Sequence, residues 1–313
     1  MPVAEHAERR LSAANGAVKA GFVALIGRPN AGKSTLLNRL VGDKLAIVSP
    51  RPQTTRNRIT GIKNVPGAQV IFVDTPGLHE GSGKLGEFML KTAERAVEDV
   101  DLVCCVIDAT ARTHPEPLVL RAIADSQGPV FCVINKTDRL RPRSRVLPLI
   151  ETWRRARAFD EILPLSATEG TNTDALLDLI VRALPEHPAL FPPDATSDQP
   201  ETFYVAEAIR EKVFLLTREE VPYAVAVRVN EVTERPKPPC LYINATIFVE
   251  QDSQRGILIG RAGAMLKRIG SAARAELEGF FGIKVFLELT VQVRRNWRKD
   301  PQALREFGFL LTS

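Results

Sequence analysis

The sequence predicts an α/β domain with a mostly parallel sheet, followed by a smaller α+β domain. Three observations support this division. Short apolar strands alternate with helices up to residue 184, which is typical of a parallel sheet covered on both faces. The segment 185–200 then carries five prolines in sixteen residues, so it cannot continue a helix and is interpreted as a linker. In the remainder, two strands follow one another directly.

Apolar periodicity and flanking residues place the individual elements. In the first domain, strands are predicted at 22–27, 69–74, 102–108, 129–135 and 162–167, with helices at 33–42 and 173–184 among others. In the second domain, a helix is predicted at 202–217, strands at 223–232 and 240–250, a helix at 264–279 after a glycine loop, and a strand at 283–293. Parallel sheets bind ligands at the carboxyl ends of their strands, so polar motifs at those ends predict the site.

Composition fits a globular protein of two domains, with 313 residues, 44% hydrophobic and 25% charged. The net charge of +5 is unevenly placed: residues 253–313 hold 11 Lys and Arg against 5 Asp and Glu, a net of +6, which leaves −1 for the rest. A basic C-terminal part indicates a polyanionic partner, either nucleic acid or an anionic membrane surface.

The sequence favours a cytoplasmic protein in a reducing compartment. The four cysteines form no C-x-x-C pair, so we expect free thiols and no metal bound by clustered cysteines and histidines; they are Cys104, Cys105, Cys132 and Cys240. The first ten residues are charged and lack the apolar core of a secretory signal. The apolar runs are too short to span a bilayer.

A glycine loop from Gly27 to Ser34, GRPNAGKS, fits the phosphate-binding pattern G-x-x-x-x-G-K-[ST]. It follows a predicted strand and opens a helix, so backbone amides and the positive end of the helix dipole would face the phosphates. Lys33 should reach the β- and γ-phosphates, and Ser34 should bind Mg²⁺.

The segment Asn135-Lys136-Thr137-Asp138 ends a later strand and predicts guanine selectivity. The Asp138 carboxylate can accept two hydrogen bonds from guanine N1–H and N2–H₂, whereas adenine would leave it unpaired. Asn135 would complement the purine edge and tie loops together. Ser166-Ala167-Thr168 follows the last strand, where a backbone N–H can meet guanine O6.

A third motif, Asp74-Thr75-Pro76-Gly77, predicts a nucleotide-dependent switch. Asp74 can hold Mg²⁺ through water, and the Gly77 N–H can meet the γ-phosphate. The preceding segment 49–61 is polar and interrupted by prolines, and a threonine in it can complete the Mg²⁺ shell; we favour Thr55 over Thr54. Such loops order with GTP and relax on hydrolysis.

Together these motifs resemble the translation-factor-related GTPases over residues 20–184. Leu78 stands near the position where other G proteins often carry a water-orienting glutamine, so the resemblance implies that water is positioned by other means. His79 is expected to be a solvated switch residue. Asn30 matches an asparagine that helps to hold a catalytic K⁺ in related GTPases.

The predicted nucleotide site collects these motifs. Its residues are Gly27, Arg28, Pro29, Asn30, Ala31, Gly32, Lys33, Ser34, Thr35, Asp74, Thr75, Pro76, Gly77, Leu78, Asn135, Lys136, Thr137, Asp138, Ser166, Ala167 and Thr168. Catalysis is assigned to Lys33, Thr55, Gly77 and Asn30. Mg²⁺ is assigned to Ser34, Thr55 and, through water, Asp74, with GTP or GDP as the nucleotide.

A second glycine loop, Gly260-Arg261-Ala262-Gly263, lacks Gly-Lys-Ser and fits the GXXG loop of a KH domain, which clamps about four nucleotides of single strand. The small residues would let the backbone approach the phosphates of the RNA closely, and Arg261 would supply positive charge. The N-terminus of the next helix would face the same phosphates. The predicted RNA-binding residues are Ile259, Gly260, Arg261, Ala262, Gly263, Lys267 and Arg268. A turn between two helices of a purely structural domain is the alternative.

With PQTTR (52–56), DTPGLH (74–79) and YVAEAIREK (204–212), the chain closely resembles the Era family of bacterial GTPases. The resemblance implies a P-loop GTPase domain at 20–184, after an N-terminal extension at 1–19, and a type II KH domain at 201–313. It further implies a monomer that binds the 3′ region of 16S rRNA, assists assembly of the 30S ribosomal subunit and contacts the inner membrane peripherally.

Three other functions are alternatives to this one. Another ribosome-assembly or RNA-modification GTPase with a KH-like domain would share these motifs. A GTPase with two tandem nucleotide domains would need a second Gly-Lys-Ser/Thr, which the sequence does not contain. An RNA-binding module with an inactive nucleotide pocket is disfavoured because Lys33, Ser34, Asp74 and Asp138 are all intact.

Overall fold

The computed structural model describes residues 18–49, 51–79, 83–111 and 114–309. These residues form two compact units. The first holds the described residues up to Ala46 together with 57–79 and 90–198, and the second holds 47–56, 83–89 and 199–309. The expected N-terminal extension lies outside the described residues except for Val18 and Lys19, which begin the first strand.

The first unit is built on a seven-stranded sheet, which confirms the predicted α/β class. Its strands are β1 (Val18–Ile26), β2 (Ile59–Val65), β3 (Ala68–Asp74), β4 (Leu102–Asp108), β5 (Val130–Asn135), β6 (Glu161–Pro164) and β7 (Glu186–His187). The order is β2-β3-β1-β4-β5-β6, and β7 pairs with β1. All pairs from β3 to β6 are parallel, whereas β2 and β7, which the sequence analysis did not predict, are antiparallel.

Five helices accompany this sheet: α1 (Lys33–Val41), α2 (Gly83–Glu98), α3 (Pro117–Ala122), α4 (Val146–Ala156) and α5 (Thr173–Ala183). The residues of α2 up to Met89 belong to the second unit. Apolar side chains of α2, α3 and α4 pack with those of β1, β4 and β5 in one core cluster, in which Trp153 is fully buried. Cys104, Cys105 and Cys132 are buried free thiols, and Cys240 is partly exposed.

The proline-rich segment interpreted as a linker is held along the outer strand of the first unit. The Ile62 N–H donates to Thr196 O at 2.8 Å, and the Ser197 hydroxyl donates to Thr60 O at 2.6 Å. Gln69 accepts from the amides of Leu190 and Phe191. The segment therefore supplies partners to a sheet edge that would otherwise expose its backbone groups.

The second unit has the predicted α+β class. Its main elements are α6 (Glu201–Leu216), β8 (Ala226–Pro236), β9 (Pro239–Val249), α7 (Asp252–Ile259), α8 (Ala264–Phe281), β10 (Val285–Val293) and α9 (Pro301–Glu306). The sheet order is β10-β9-β8, with β8 antiparallel and β10 parallel to β9. One apolar cluster is formed by β8, β9 and β10 with α6, α7 and α8.

Two elements of this unit, the helices α7 and α9, were missed in the sequence analysis. Residues 252–259 form the helix α7, whose start is fixed by a capping box between Gln251 and Gln254. The glycine loop therefore joins two helices rather than a strand and a helix. No helix among the described residues is long and apolar enough to cross a membrane.

Candidate functional site

The first glycine loop leaves the carboxyl end of β1, which lies between β3 and β4, the point where the strand order reverses. Gly32 precedes α1 with φ 95°, and among the described residues no side chain caps this helix. A Cβ on Gly32 would lie 2.3 Å from Asn135 Nδ2, and one on Gly27 would lie 2.2 Å from Val106 O. Only glycine fits at these two positions, and the open helix start suits a phosphate.

The Lys33 side chain is folded into this loop. Its ammonium donates to Gly27 O and Arg28 O, both at 3.1 Å, and the residue is 6% exposed. Burial lowers the pKa of Lys33 to about 8, although the carboxylates of Asp74 and Glu116 oppose this shift. A bound polyphosphate would replace the two carbonyls with anionic partners, which would raise the pKa of Lys33 again.

Oxygen ligands suited to Mg²⁺ meet at the end of β3. The Ser34 hydroxyl donates to Asp74 Oδ2 at 2.6 Å, and Asp74 is fully buried. Hydroxyl and carboxylate oxygens are the ligands that Mg²⁺ prefers, so these residues fit a nucleotide-bound metal ion. Gly77 also borders the loop, because a Cβ there would lie 2.5 Å from the Pro29 nitrogen.

Asn135 ties the phosphate loop to the loop after β6. Its amide donates to Ala31 O at 2.9 Å, and its Oδ1 accepts from the N–H groups of Lys136 at 2.7 Å and Ala167 at 3.0 Å. The predicted tying of loops is therefore visible in the hydrogen bonds. The Ala167 N–H, a candidate donor to guanine O6, is engaged by Asn135 in this structure.

The Asp138 carboxylate faces the same loop. Its Oδ1 accepts from the Ser166 hydroxyl at 2.7 Å, and Ser166 is fully buried. The Arg141 guanidinium donates to the carbonyl of Asp138 at 2.6 Å, which holds the backbone of the motif. Asp138 and Ser166, which are 28 positions apart, are thus brought to one place by β5 and β6.

Two residues of the site were missed from the sequence. Asp108, at the end of β4, binds the Lys136 ammonium at 2.6 Å, and Lys136 also contacts Asn30 O. Burial alone would raise the pKa of Asp108, but hydrogen bonds from Lys136 and Thr110 outweigh it and lower the pKa. Arg39 of α1 donates to Ala167 O at 3.1 Å and Thr168 O at 2.6 Å, and so fixes the loop after β6.

The strand-end rule could have found Asp108, because it follows the apolar run LVCCVI. No local pattern distinguishes Arg39 from any other helical arginine.

The side chains of two predicted nucleotide-site residues serve the core instead. Leu78 is fully buried in the core cluster of the first unit, and only its N–H, which donates to Gly27 O at 3.0 Å, adjoins the phosphate loop. The Thr75 hydroxyl is buried and donates to Leu25 O at 2.9 Å. His79 Nδ1 lies 2.8 Å from Gly77 O, so it stays close to the backbone of the switch motif.

The segment 47–56, which carries both candidate threonines, belongs to the second unit. The Thr54 hydroxyl donates to Arg51 O at 2.8 Å, so it is engaged within the segment. Thr55 is buried. The Arg210 guanidinium, paired with Glu207, donates to Thr54 O at 2.5 Å.

Arg56 anchors the end of this segment. It is 2% exposed and donates to the carbonyls of Val225 at 2.6 Å, Tyr223 at 3.0 Å and Pro222 at 3.2 Å. Its guanidinium lies over the Phe214 ring, 5.7 Å from the centroid. The segment that should bear a Mg²⁺ ligand is therefore held by residues of the KH-containing unit.

The second glycine loop is open to solvent. Gly260 and Gly263 have φ of 72° and 78°, and Ala262 between them has φ 50°. Arg261 and Ala262 are exposed, and Gly263 caps the start of α8 without a side-chain hydrogen bond. The loop thus presents backbone amides and a cation at a helix start.

Beside this loop lies a cavity of about 360 Å³ between α8 and β10. It is lined by Gly263, Leu266, Lys267, Gly270, Ser271, Arg274, Leu287 and Leu289. Of the predicted RNA-binding residues, the lining includes Gly263 and Lys267. Ile259 instead packs against the KH core, and the exposed Arg268 lies outside the lining. The sequence analysis missed Arg274 and the two leucines of β10, because the groove exists only once the strand lies beside the helix.

Comparison with known proteins supports the assignment of both domains. A family model described as 50S ribosome-binding GTPase matches residues 22–136, and one described as KH domain matches residues 220–298. The GTPase Era of Geobacter metallireducens is 50% identical over 93% of this chain and 98% of its own length. The GTPase Era of Syntrophus aciditrophicus is 48% identical over 93% of this chain and 95% of its own length.

Two solved structures match nearly the whole chain. A crystal structure of Era in complex with MgGDPNP and nucleotides 1506–1542 of 16S ribosomal RNA has a TM-score of 0.91 at 42% identity, and covers 94% of this chain and 100% of its own. The structure of an Aquifex aeolicus Era variant bound to GDP·AlF₄⁻ has the same TM-score and coverage at 43% identity.

Proposed function

Because the chain belongs to the Era family of GTPases, we propose that it is a GTP-hydrolysing switch whose KH domain binds single-stranded RNA near the 3′ end of 16S rRNA. GTP or GDP with Mg²⁺ occupies the first glycine loop, and the rRNA backbone lies along the second. Through this binding, the protein assists assembly of the 30S subunit in the cytoplasm.

The observation that carries the RNA proposal is the cavity beside Gly263. It joins an open glycine loop, the exposed cations Lys267 and Arg274, and an apolar floor of Leu287 and Leu289. Amides and cations suit phosphates, and apolar side chains suit unstacked bases, which is the combination that single-strand readers use.

A pair of glycine variants tests this assignment. Gly263 and Gly282 flank the two ends of α8 with φ of 78° and 67°, and a Cβ on either would meet no atom within 4 Å outside its chain neighbours. Asp tolerates such a left-handed conformation, so neither change should unfold the domain.

Gly263→Asp should sharply weaken binding of a 16S rRNA fragment spanning nucleotides 1506–1542, while Gly282→Asp leaves it unchanged. The new carboxylate at Gly263 would repel phosphate where the backbone must approach it. GTP affinity, measured in parallel, should stay at the wild-type value for both. Equal RNA affinities for the two variants would remove the second loop from the RNA site.

The switch part of the proposal is supported by the arginines that hold the segment 47–56. In our proposal, Thr55 ligates Mg²⁺ when the γ-phosphate is present, and Arg56 and Arg210 connect its segment to the KH-containing unit. The GTP form should then bind RNA more tightly than the GDP form, with a coupling of about 1–3 kcal/mol, and RNA should favour GTP to the same extent.

This coupling is measured as the ratio of RNA affinities with a non-hydrolysable GTP analogue and with GDP at one salt concentration. Arg56→Gln should move the ratio toward one while each ligand still binds. A ratio of one in the wild type would mean two independent modules.

A catalytic K⁺ held by Asn30 is a further part of the proposal. Asn30 lies in the phosphate loop at φ 62°, and its carbonyl already accepts from the Lys136 ammonium. Replacing K⁺ with Na⁺ should slow hydrolysis, and Asn30→Ala should abolish the difference. Equal rates in the two salts would leave Asn30 as a residue that only shapes the loop.

Peripheral contact with the inner membrane rests on family membership alone. Flotation of the full chain with anionic phospholipid vesicles tests it. Recovery of the protein only in the pellet, with and without GTP, would remove membrane contact from the function.

A further inference from the structure

A second strongly basic region lies in the first unit, outside both glycine loops. Residues 139–157, RLRPRSRVLPLIETWRRAR, carry seven arginines, no lysine and the single acid Glu151, a net charge of +6. This equals the net charge of residues 253–313, the basic C-terminal part of the chain. The region covers the turns before α4 and the whole of α4.

Two of the seven arginines have structural roles. Arg141 donates to Asp138 O and Leu140 O, and Arg157 donates to Ile123 O at 2.8 Å. The other five, Arg139, Arg143, Arg145, Arg154 and Arg155, are exposed, and we call them the arginine cluster.

Acidic neighbours do not neutralise the cluster. Arg143 lies 3.7 Å from Glu169 with its side chain 72% exposed, and Arg154 lies 2.9 Å from Glu151 with its side chain 65% exposed. Such exposed pairs contribute little and exchange readily for another anion. Among the described residues, Arg139, Arg145 and Arg155 form no ion pair.

Helix electrostatics do not account for the placement either. Arg154 and Arg155 stand in the last turn of α4, where cations are favourable. Arg143 and Arg145 stand at its beginning, where they oppose the helix dipole, and the first turn carries no acid. A surface that keeps arginines at the unfavourable end of a helix points to an external anion.

We propose that the arginine cluster is a second RNA-contacting surface, which binds the phosphate backbone of folded rRNA beyond the single strand held in the KH groove. An arginine guanidinium can donate two parallel hydrogen bonds to the oxygens of one phosphate. Arg143 and Arg145 lie at the start of α4 and Arg154 and Arg155 at its end, about 15 Å apart at 1.5 Å per residue. This proposal rests on the proposed rRNA binding and extends it to the GTPase domain.

The packing of α4 disfavours a membrane as the anion. A helix that lies on a bilayer inserts its apolar face, but Val146, Leu149, Ile150 and Trp153 of α4 pack into the core of the first unit. Leu147 is the only large hydrophobic residue of α4 that the structure exposes.

Two double variants test the proposal: Arg143→Gln with Arg145→Gln, and Arg154→Gln with Arg155→Gln. The control is Lys91→Gln with Arg182→Gln, two exposed cations elsewhere in the same unit. Binding is measured against a full-length 16S rRNA transcript and against a short single strand from its 3′ end, over a series of salt concentrations. GTP hydrolysis without RNA and thermal melting verify folding.

Each arginine variant should bind the full transcript more weakly, and its plot of log affinity against log salt should flatten by about 1.4–1.8, the counterions of two phosphates. Affinity for the short strand and RNA-free hydrolysis should match the wild type and the control. The first variant should melt no lower than the wild type, because it removes charges that oppose the helix dipole.

Unchanged affinity and slope on the full transcript would overturn the proposal, even with the short strand still bound through the KH groove. Vesicle flotation of the same arginine variants gives a second check. If they bound anionic phospholipid vesicles more weakly than the wild type but bound the full transcript equally well, the proposal would also be overturned. Conversely, a wild type that ignores the short strand but binds the full transcript through these arginines would sustain this surface and reject the proposed role of the KH groove.

Discussion

The two glycine loops of this chain, each predicted to face phosphate, lie in different surroundings. A Cβ on Gly32 would lie 2.3 Å from Asn135 Nδ2, and one on Gly27 would lie 2.2 Å from Val106 O. A Cβ on Gly263 would meet nothing within 4 Å beyond its chain neighbours. Gly27 and Gly32 are therefore required by the protein's own packing. The second loop is mixed, because a Cβ on Gly260 would lie 2.8 Å from Met265 Cβ, whereas Gly263 is required only by its positive φ.

Their cations differ in the same way. Lys33 is buried and already hydrogen-bonded to the loop that it serves, while Arg261, Lys267 and Arg274 stand in solvent. Salt screens exposed charges far more than buried ones. The fixed geometry of the first loop thus suits selection of one nucleotide, and the exposed cations of the second suit a flexible polyanion whose binding depends on salt.

The largest effect that tests this contrast comes from alanine in each loop. Gly32→Ala should cost about 2–5 kcal/mol of nucleotide binding or stability, because it combines a positive φ with a 2.3 Å contact. Gly263→Ala should cost only about 1–2 kcal/mol of stability, for its φ alone. Thermal melting and titration with a fluorescent guanine nucleotide measure both. Equal losses for the two variants would mean that the crowding at Gly32 adds nothing to the cost of its positive φ.

Asp138→Asn should exchange guanine for xanthine selectivity. Each charge-assisted hydrogen bond lost to guanine costs about 1.5–3 kcal/mol, while the new amide can donate to the second carbonyl of xanthine. Competition between GTP and xanthosine triphosphate gives the result, with the exposed Asp178→Asn as the control. A mutant that still strongly prefers GTP would show that Asp138 does not read the base.

Leu78→Ala should separate packing from chemistry within the switch motif. Because Leu78 is fully buried, its truncation should lower the free energy of unfolding by about 2–5 kcal/mol. Turnover per folded molecule should fall only mildly, since a leucine cannot orient water. Leu78→Met, which conserves volume, should cost less than about 1.5 kcal/mol. A large loss of turnover in a variant that melts normally would contradict this reading.

The smallest effect concerns the buried lysine. Its pKa of about 8 without ligand should rise when phosphates replace its carbonyl partners, so nucleotide binding takes up a proton as pH increases from 7 to 9. Below pH 7 the lysine is charged in both states, so its uptake disappears there. Calorimetry of GDP binding in buffers of different ionisation enthalpy measures this. Uptake that does not grow with pH would mean that Lys33 stays charged in the empty loop.

Much of the fold and of the nucleotide site could be predicted because their signals lie in short stretches of the sequence. The phosphate loop, the guanine motif and the parallel strands are each encoded within short runs of consecutive residues, and the strands lie where the sequence predicts them. The helix α7 was missed because Ile257, Leu258 and Ile259 form a short apolar run that periodicity cannot assign to a helix or a strand. β2 was missed because its apolar positions are interrupted by Thr60 and Gly61.

The amino-acid sequence was thus sufficient to locate both glycine loops and to predict a class of anion for each, because backbone geometry and hydrogen-bonding groups are set by neighbours in the chain. Tertiary structure decided which groups are desolvated and which are exposed. It buried Leu78 and Lys33, joined Arg56 to carbonyls some 170 positions away, and left five arginines around α4 in solvent. Burial depends on what packs around a residue, and residues distant in sequence supply that packing.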